Sequence, residues 1–143
     1  MIIKWTYASV RKFFDTLSVP KIYTGEDEVP TDVSEYVEIA ILGPSLTLLG
    51  DEQTGIWLEV RITINVNASN KNVFRVHEIA DELTAFMTDI TVMALGNTPE
   101  DDQSDKFCLS ISKNVDYAYV GKVKDKNINR AVMAARWSQT IPF

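Results

Sequence analysis

Residues 56–67 read IWLEVRITINVN, and this stretch organises the rest of the chain. Ile56, Leu58, Val60, Ile62, Ile64 and Val66 fall on alternate positions, with Trp57, Glu59, Arg61, Thr63, Asn65 and Asn67 between them. Successive side chains of a strand point to opposite faces of the sheet. The alternation therefore predicts a half-buried strand with one nearly continuous apolar face. It is about twice the usual strand length of roughly 5–6 residues. An amphipathic helix follows at once, so the strand reads as the spine of a sheet that the helix covers. No catalytic or metal-binding signature is attached to it.

Around this spine, 143 residues are the size of one domain, enough to bury about two thirds of the unfolded surface. The hydrophobic and charged fractions, 45% and 24%, belong to a soluble globular protein rather than a disordered or fibrous one. A net charge of −6 argues against broad phosphate-backbone binding, which wants a basic face, and no specific nucleic-acid binding is expected. A single cysteine, Cys108, excludes an internal disulfide and any multi-cysteine zinc site. The opening MIIKWTYASVRKFFDTL is broken by Lys4, Arg11 and Lys12, so neither a signal peptide nor a membrane span is expected.

In chain order, residues 2–17 fit a helix whose apolar face carries Ile2, Ile3, Tyr7, Val10, Phe13, Phe14 and Leu17. Pro20 closes it. Residues 21–23 suit a short extended piece, and residues 25–35, acidic and without a basic side chain, suit a solvated loop. Alternation resumes at residues 36–42, a second strand apolar enough to be covered on much of both faces. The glycine-bracketed segment 43–55 then reads as a long hairpin-like connection into an antiparallel neighbour, with room for a short strand or turn at residues 46–49. After an Asn/Ser turn, residues 72–87 form the cleanest helix, with Val73, Val76, Ile79, Ala80, Leu83, Phe86 and Met87 in one stripe. Residues 90–95 suit a short strand or turn, residues 97–105 a second acidic loop, residues 106–112 a strand, residues 116–120 a strand or a helix with the tyrosine spacing favouring strand, and residues 131–141 a closing strand. No internal repeat is visible in the residues. The fold class expected is α+β, a mainly antiparallel sheet of about four to six strands flanked by two helices, in one domain over 1–143.

Few residues invite chemistry. His77 is the only histidine, and it lies at the flank of the helix stripe, where a rim position outweighs a catalytic one. Cys108 reads as a small strand residue. The clusters at 26–28 and 101–102 lack the spacing of a calcium loop, and no glycine-rich phosphate cradle exists. The positions that stand out point to contact. Trp5 and Phe74 fall on polar helix faces, and Trp57 with Arg61 on the polar parity of the spine. Aromatic anchors are what a subunit interface supplies, and a second layer inside the same domain is the equal alternative. Lys122, Lys124, Lys126 and Arg130 form a local basic patch that suits the acidic loops of a neighbouring copy.

Three segments carry a family resemblance: IWLEVRITINVN leading into NVFRVHEIADELTAFM, the strand YVEIAIL with its long connection, and the ending DYAYVGKVKDKNINRAVMAARWSQTIPF. Together they resemble the tail terminator and tail completion proteins of tailed bacteriophages, over most of the chain. The resemblance implies a hexameric ring that caps the tail tube and joins it to the head connector. It further implies a virion location in tail or neck, with assembly in the host cytoplasm. The partners implied are further copies, the tail-tube protein and a connector or neck protein, without a membrane, a cofactor or catalysis. The alternatives are a connector or tube-like subunit, or a small carboxylate-dependent enzyme or ligand-binding domain.

Overall fold

The alternation of residues 56–67 becomes the centre of a six-stranded sheet in the computed structural model. The structure describes residues 2–30, 32–50, 53–89, 92–94 and 108–142. The elements run α1 (Ile2–Phe14), β1 (Lys21–Tyr23), β2 (Glu35–Gly50), β3 (Gln53–Asn67), α2 (Arg75–Asp89), β4 (Val92–Ala94), β5 (Cys108–Val123) and β6 (Ile128–Pro142). Across the sheet the order is β1-β2-β3-β6-β5-β4. Only the β1–β2 pair is parallel, so the expected α+β fold with a mainly antiparallel sheet holds.

Register carries the alternation across the sheet. Leu58 lies opposite Trp137, Val60 opposite Ala135, Ile62 opposite Met133 and Ile64 opposite Ala131. All eight are buried, as are Val10 and Phe14 of α1 and Val76, Ile79, Leu83 and Met87 of α2. Both helices thus cover the same face, where Phe13 and Phe14 meet Phe86 and the edge of Trp137 at centroid distances of 4.9–6.1 Å. A slip of one residue along β3 would turn this entire set to the other face.

Several expectations need correction. α1 ends at Phe14, and its buried side is rotated from the expected one: Thr6 and Ser9 are buried, while Ile3 and Tyr7 are exposed. The reason for Tyr7 is local, because its hydroxyl donates to the Gly43 carbonyl at 2.8 Å and so holds the ring at the rim. α2 begins at Arg75, after Val73 and Phe74, both of which are exposed. Asn72 sets that start: its Oδ1 accepts the Phe74 N–H, while its Nδ2 donates to Glu78. Segment 43–50, read as a connection with room for a short strand or turn at 46–49, is strand throughout and continues β2, with a bulge between Leu42 and Ser45. β5 likewise merges two expected strands, with irregularities between Ile111 and Val115 and between Tyr119 and Gly121. The acidic segment 97–105 lies outside the described residues.

One regularity escapes the sequence altogether. The chain runs twice through helix, three-residue strand, 16-residue strand and 15-residue strand. The two runs meet along β3–β6, an antiparallel pair at the middle of the sheet. The order of the long strands is two-fold about this pair, β2 and β3 of one run answering to β5 and β6 of the other, while the helices sit differently: α1 lies nearest β2 and β4, and α2 on β3, β5 and β6. The short strands break the symmetry, since β1 is parallel to its neighbour and β4 antiparallel.

Candidate interaction surface

With both described helices on one face, no described helix lies over the other face of β2, β3 and β6. Its composition follows from the second parity of the same strands. Trp57 stands beside Ser138 and Ser45, Glu59 beside Arg136 and Leu42, and Arg61 beside Ala134 and Ala40. Trp57 is 49% exposed and Leu42 40%. The Glu59 carboxylate is held from both sides, by Arg61 Nε at 2.9 Å and by Arg136 Nε at 3.5 Å. The two arginines screen it, leaving 14% of the Glu59 side chain exposed against 58% and 70% of theirs. Glu38, opposite Thr63, and Asp116, opposite Ala134, add carboxylates to the same face, so the two arginines stand among acidic neighbours. An open depression of about 590 Å³ lies here, lined by Trp57, Glu59, Arg61, Arg136, Trp137 and Ser138. Its breadth and openness suit a macromolecular surface better than an enclosed small ligand.

Toward the other end of the strands this face is closed. Tyr36 and Asn65 lie side by side and are buried, and the Arg130 Nε donates to Asn65 Oδ1 at 2.9 Å. Val29, Pro30 and Val33 of the acidic connection approach there, as do Lys126 and Asn127 of the β5–β6 turn, around a small cleft. Burial pushes the Tyr36 hydroxyl above the usual tyrosine range. The exposed end presents the indole and the parts of the two guanidiniums that Glu59 does not engage.

The contact residues expected from sequence separate on this frame. Trp57 and Arg61 share the open face with Arg136, which sequence reasoning passed over. The signal was available, since Arg136 lies on the parity opposite Met133 and Trp137. Phe74 stands apart, before α2 rather than on its polar face, next to exposed Val73. Trp5 belongs to α1, but its side chain lies outside the described residues. The basic patch divides. Lys124 and Lys126 sit in the turn between β5 and β6, where Asp125 and Asn127 adopt positive φ. Lys122 pairs across to Asn129, on the opposite parity from Arg130, which Asn65 occupies. The four cations do not form one patch.

His77, read as a rim residue, is half-buried and engaged. Its Nδ1 lies 2.6 Å from the Tyr117 hydroxyl, and its ring is 4.9 Å from that of Tyr119. Burial raises the Tyr117 hydroxyl above its ordinary range. Among the described residues no three His, Cys, Asp or Glu side chains converge as a metal site, and no described helix is long and apolar enough to cross a membrane.

No protein-family model matches the chain, and no curated protein matches it by sequence. A solved structure is similar in fold, with a TM-score of 0.60 at 14% identity, over 97% of this chain and 96% of that chain. At this identity the likeness shows the fold alone, and it extends over nearly the whole of both chains.

Proposed function

We propose that this chain is a structural subunit of a phage neck or tail, assembling into a ring that caps the tail tube and joins it to the head connector, as a tail terminator does. The observation that carries the reading is the uncovered sheet face, where exposed Trp57 stands among Arg61 and Arg136. A Trp/Arg centre with Leu42 beside it has the composition of an interface anchor. It is built on rigid strands, the placement a docking surface needs. The family resemblance in the three sequence segments supplies the kind of assembly. The work proposed is positional, with no bond made or broken. A connector or tube-like subunit would use the same surface and differ in ring symmetry.

Native mass measurement and negative-stain imaging test this directly. The purified protein should give six-fold rings, and Trp57→Ala should reduce ring formation while leaving the thermal midpoint of the monomer within a few degrees. Twelve-fold rings would move the assignment to a connector. A protein that stays monomeric at every concentration, or a Trp57→Ala variant that loses stability as much as assembly, would overturn the reading.

A further inference from the structure

The sheet ends in two open edges, and they are matched. β1 pairs only with residues 37–39 of β2, and β4 only with residues 108–110 of β5. Among the described strands, none lies outside residues 42–50 of β2 or residues 115–123 of β5. Each stretch is nine residues, about 30 Å of backbone at roughly 3.3 Å per residue. The two-fold order of the strands explains the match, because each short strand covers the beginning of its long neighbour and leaves the remainder without a described strand partner; on β2 the Tyr7 hydroxyl takes one carbonyl there, that of Gly43. The open stretches consequently sit on opposite edges and at opposite ends of the sheet.

Exposed apolar side chains gather along these same stretches: Leu42 and Leu46 on one, Tyr117, Tyr119 and Val120 on the other. A long apolar edge with unpaired N–H and C=O groups is a template for another strand. Direction and face decide which strand. β2 and β5 run in opposite directions in the sheet. A second copy placed beside the first, helices on the same side, therefore presents its β2 antiparallel to the first copy's β5. Leu46 lies across from core-facing Ile56, while Tyr117 and Tyr119 lie across from core-facing Met133 and Ala131. Leu46 and the two tyrosines would thus meet on the same side of the joined sheet, as aromatic–aliphatic cross-strand neighbours.

We propose that copies of this chain join head to tail by strand addition, with residues 115–123 of one copy pairing antiparallel with residues 42–50 of the next. The proposal rests on the assembly reading above and assigns it an interface. Because the two edges differ, every copy added leaves one edge of each kind open, so the contact propagates until rotation closes a ring. The open sheet face with Trp57 and Arg136 then lies along a continuous surface of the ring, left for the next component.

Complementing edge variants test this. Tyr119→Lys places a charge on one edge, and Leu46→Lys places one on the other. Both positions are about half exposed, and Tyr119 also rests against the His77 ring, so circular dichroism should match wild type for both variants while the thermal midpoint stays unchanged for Leu46→Lys and falls by no more than a few degrees for Tyr119→Lys. Each variant alone should be monomeric where wild type forms rings, and an equimolar mixture should give a one-to-one dimer. The reason is that each variant retains the edge its partner has lost. Cysteines at both positions, in a Cys108→Ser background, should give disulfide-linked chains longer than two under oxidation. Full assembly by either variant, a self-pairing Tyr119→Lys dimer, a mixture that stays monomeric, or cross-linking that stops at dimers would overturn head-to-tail addition. A wild-type protein that never assembles would instead overturn the assembly reading itself.

Discussion

The ion pair between Arg75 and Glu35 offers the most closely determined test of how α2 is held on the sheet. Arg75 Nε donates to Glu35 Oε2 at 2.8 Å and its Nη2 to Oε1 at 2.6 Å, a two-point fork across elements 40 residues apart. The side chains are 23% and 22% exposed, so solvent screens them less than a surface pair. Exposed pairs contribute about 0.2–1 kcal/mol, and hydrogen bonds to charged groups about 1.5–3 kcal/mol. A coupling of about 1–2 kcal/mol is expected from a double-mutant cycle with Glu35→Gln and Arg75→Gln, measured by urea unfolding. Removing Arg75 alone should be the costlier single change, because Glu78 and Glu82 also lean on it and three carboxylates would be left together. The pH dependence has a definite sign. Hydrogen bonding from Arg75 holds the Glu35 carboxyl below its ordinary value, outweighing the effect of burial. Its contribution is complete above the unfolded carboxyl value of about 4.3 and is lost as pH falls through the lower, folded value. The stability gap between wild type and Glu35→Gln should therefore be open at neutral pH and narrow in strong acid. A gap that stays constant with pH, or a coupling near zero, would refute the argument.

Two further substitutions address the strand that bears the open edge and the closed end of the sheet face. Gly43 has φ +111°, and a Cβ there would meet the Ser45 nitrogen at 3.2 Å and the Trp57 oxygen at 3.3 Å. Gly43→Ala should destabilise by about 1–3 kcal/mol, the range for strained backbone, and an unchanged denaturation midpoint would contradict it. Arg130→Met should cost about 1–3 kcal/mol, because it keeps the stem but leaves the buried Asn65 oxygen without its donor. Adding Asn65→Leu to that variant should recover much of the loss, and no recovery would place the cost in packing rather than in the orphaned amide.

What could be read in advance was whatever periodicity encodes. The even positions from Ile56 to Val66 announced a buried strand face, and the stripe from Val76 to Met87 announced its cover. Element ends were harder, since they depend on particular side-chain bonds. Nothing in periodicity separates Val73 from the stripe; only the Asn72 side chain, closing on Phe74 and Glu78, does so. Gly43-Pro44 looked like a turn, yet the glycine's positive φ sits in a bulge that lets β2 continue. For the surface, parity sufficed for Trp57 and Arg61. It failed for the cations at 122–130 because bulges and a hairpin turn decide which side each takes. The pairing of two similar halves lay beyond any single strand's pattern, being a property of lengths and order.

That internal two-fold has a kinetic consequence. β2 with β3 and β5 with β6 are neighbours along the chain, so each pair can close locally. The seam of β3 on β6 joins residues from different halves at every rung. Closing it carries the entropy of a long loop, and contacts of this kind slow folding. Neither half encloses the core without the other, because Trp137 of the second half packs against Phe13 and Phe14 of the first. Until the seam closes, each hairpin carries a bare apolar edge along β3 or β6, a longer one than the finished subunit keeps. The period before closure is therefore when this chain is most exposed to pairing with the wrong neighbour.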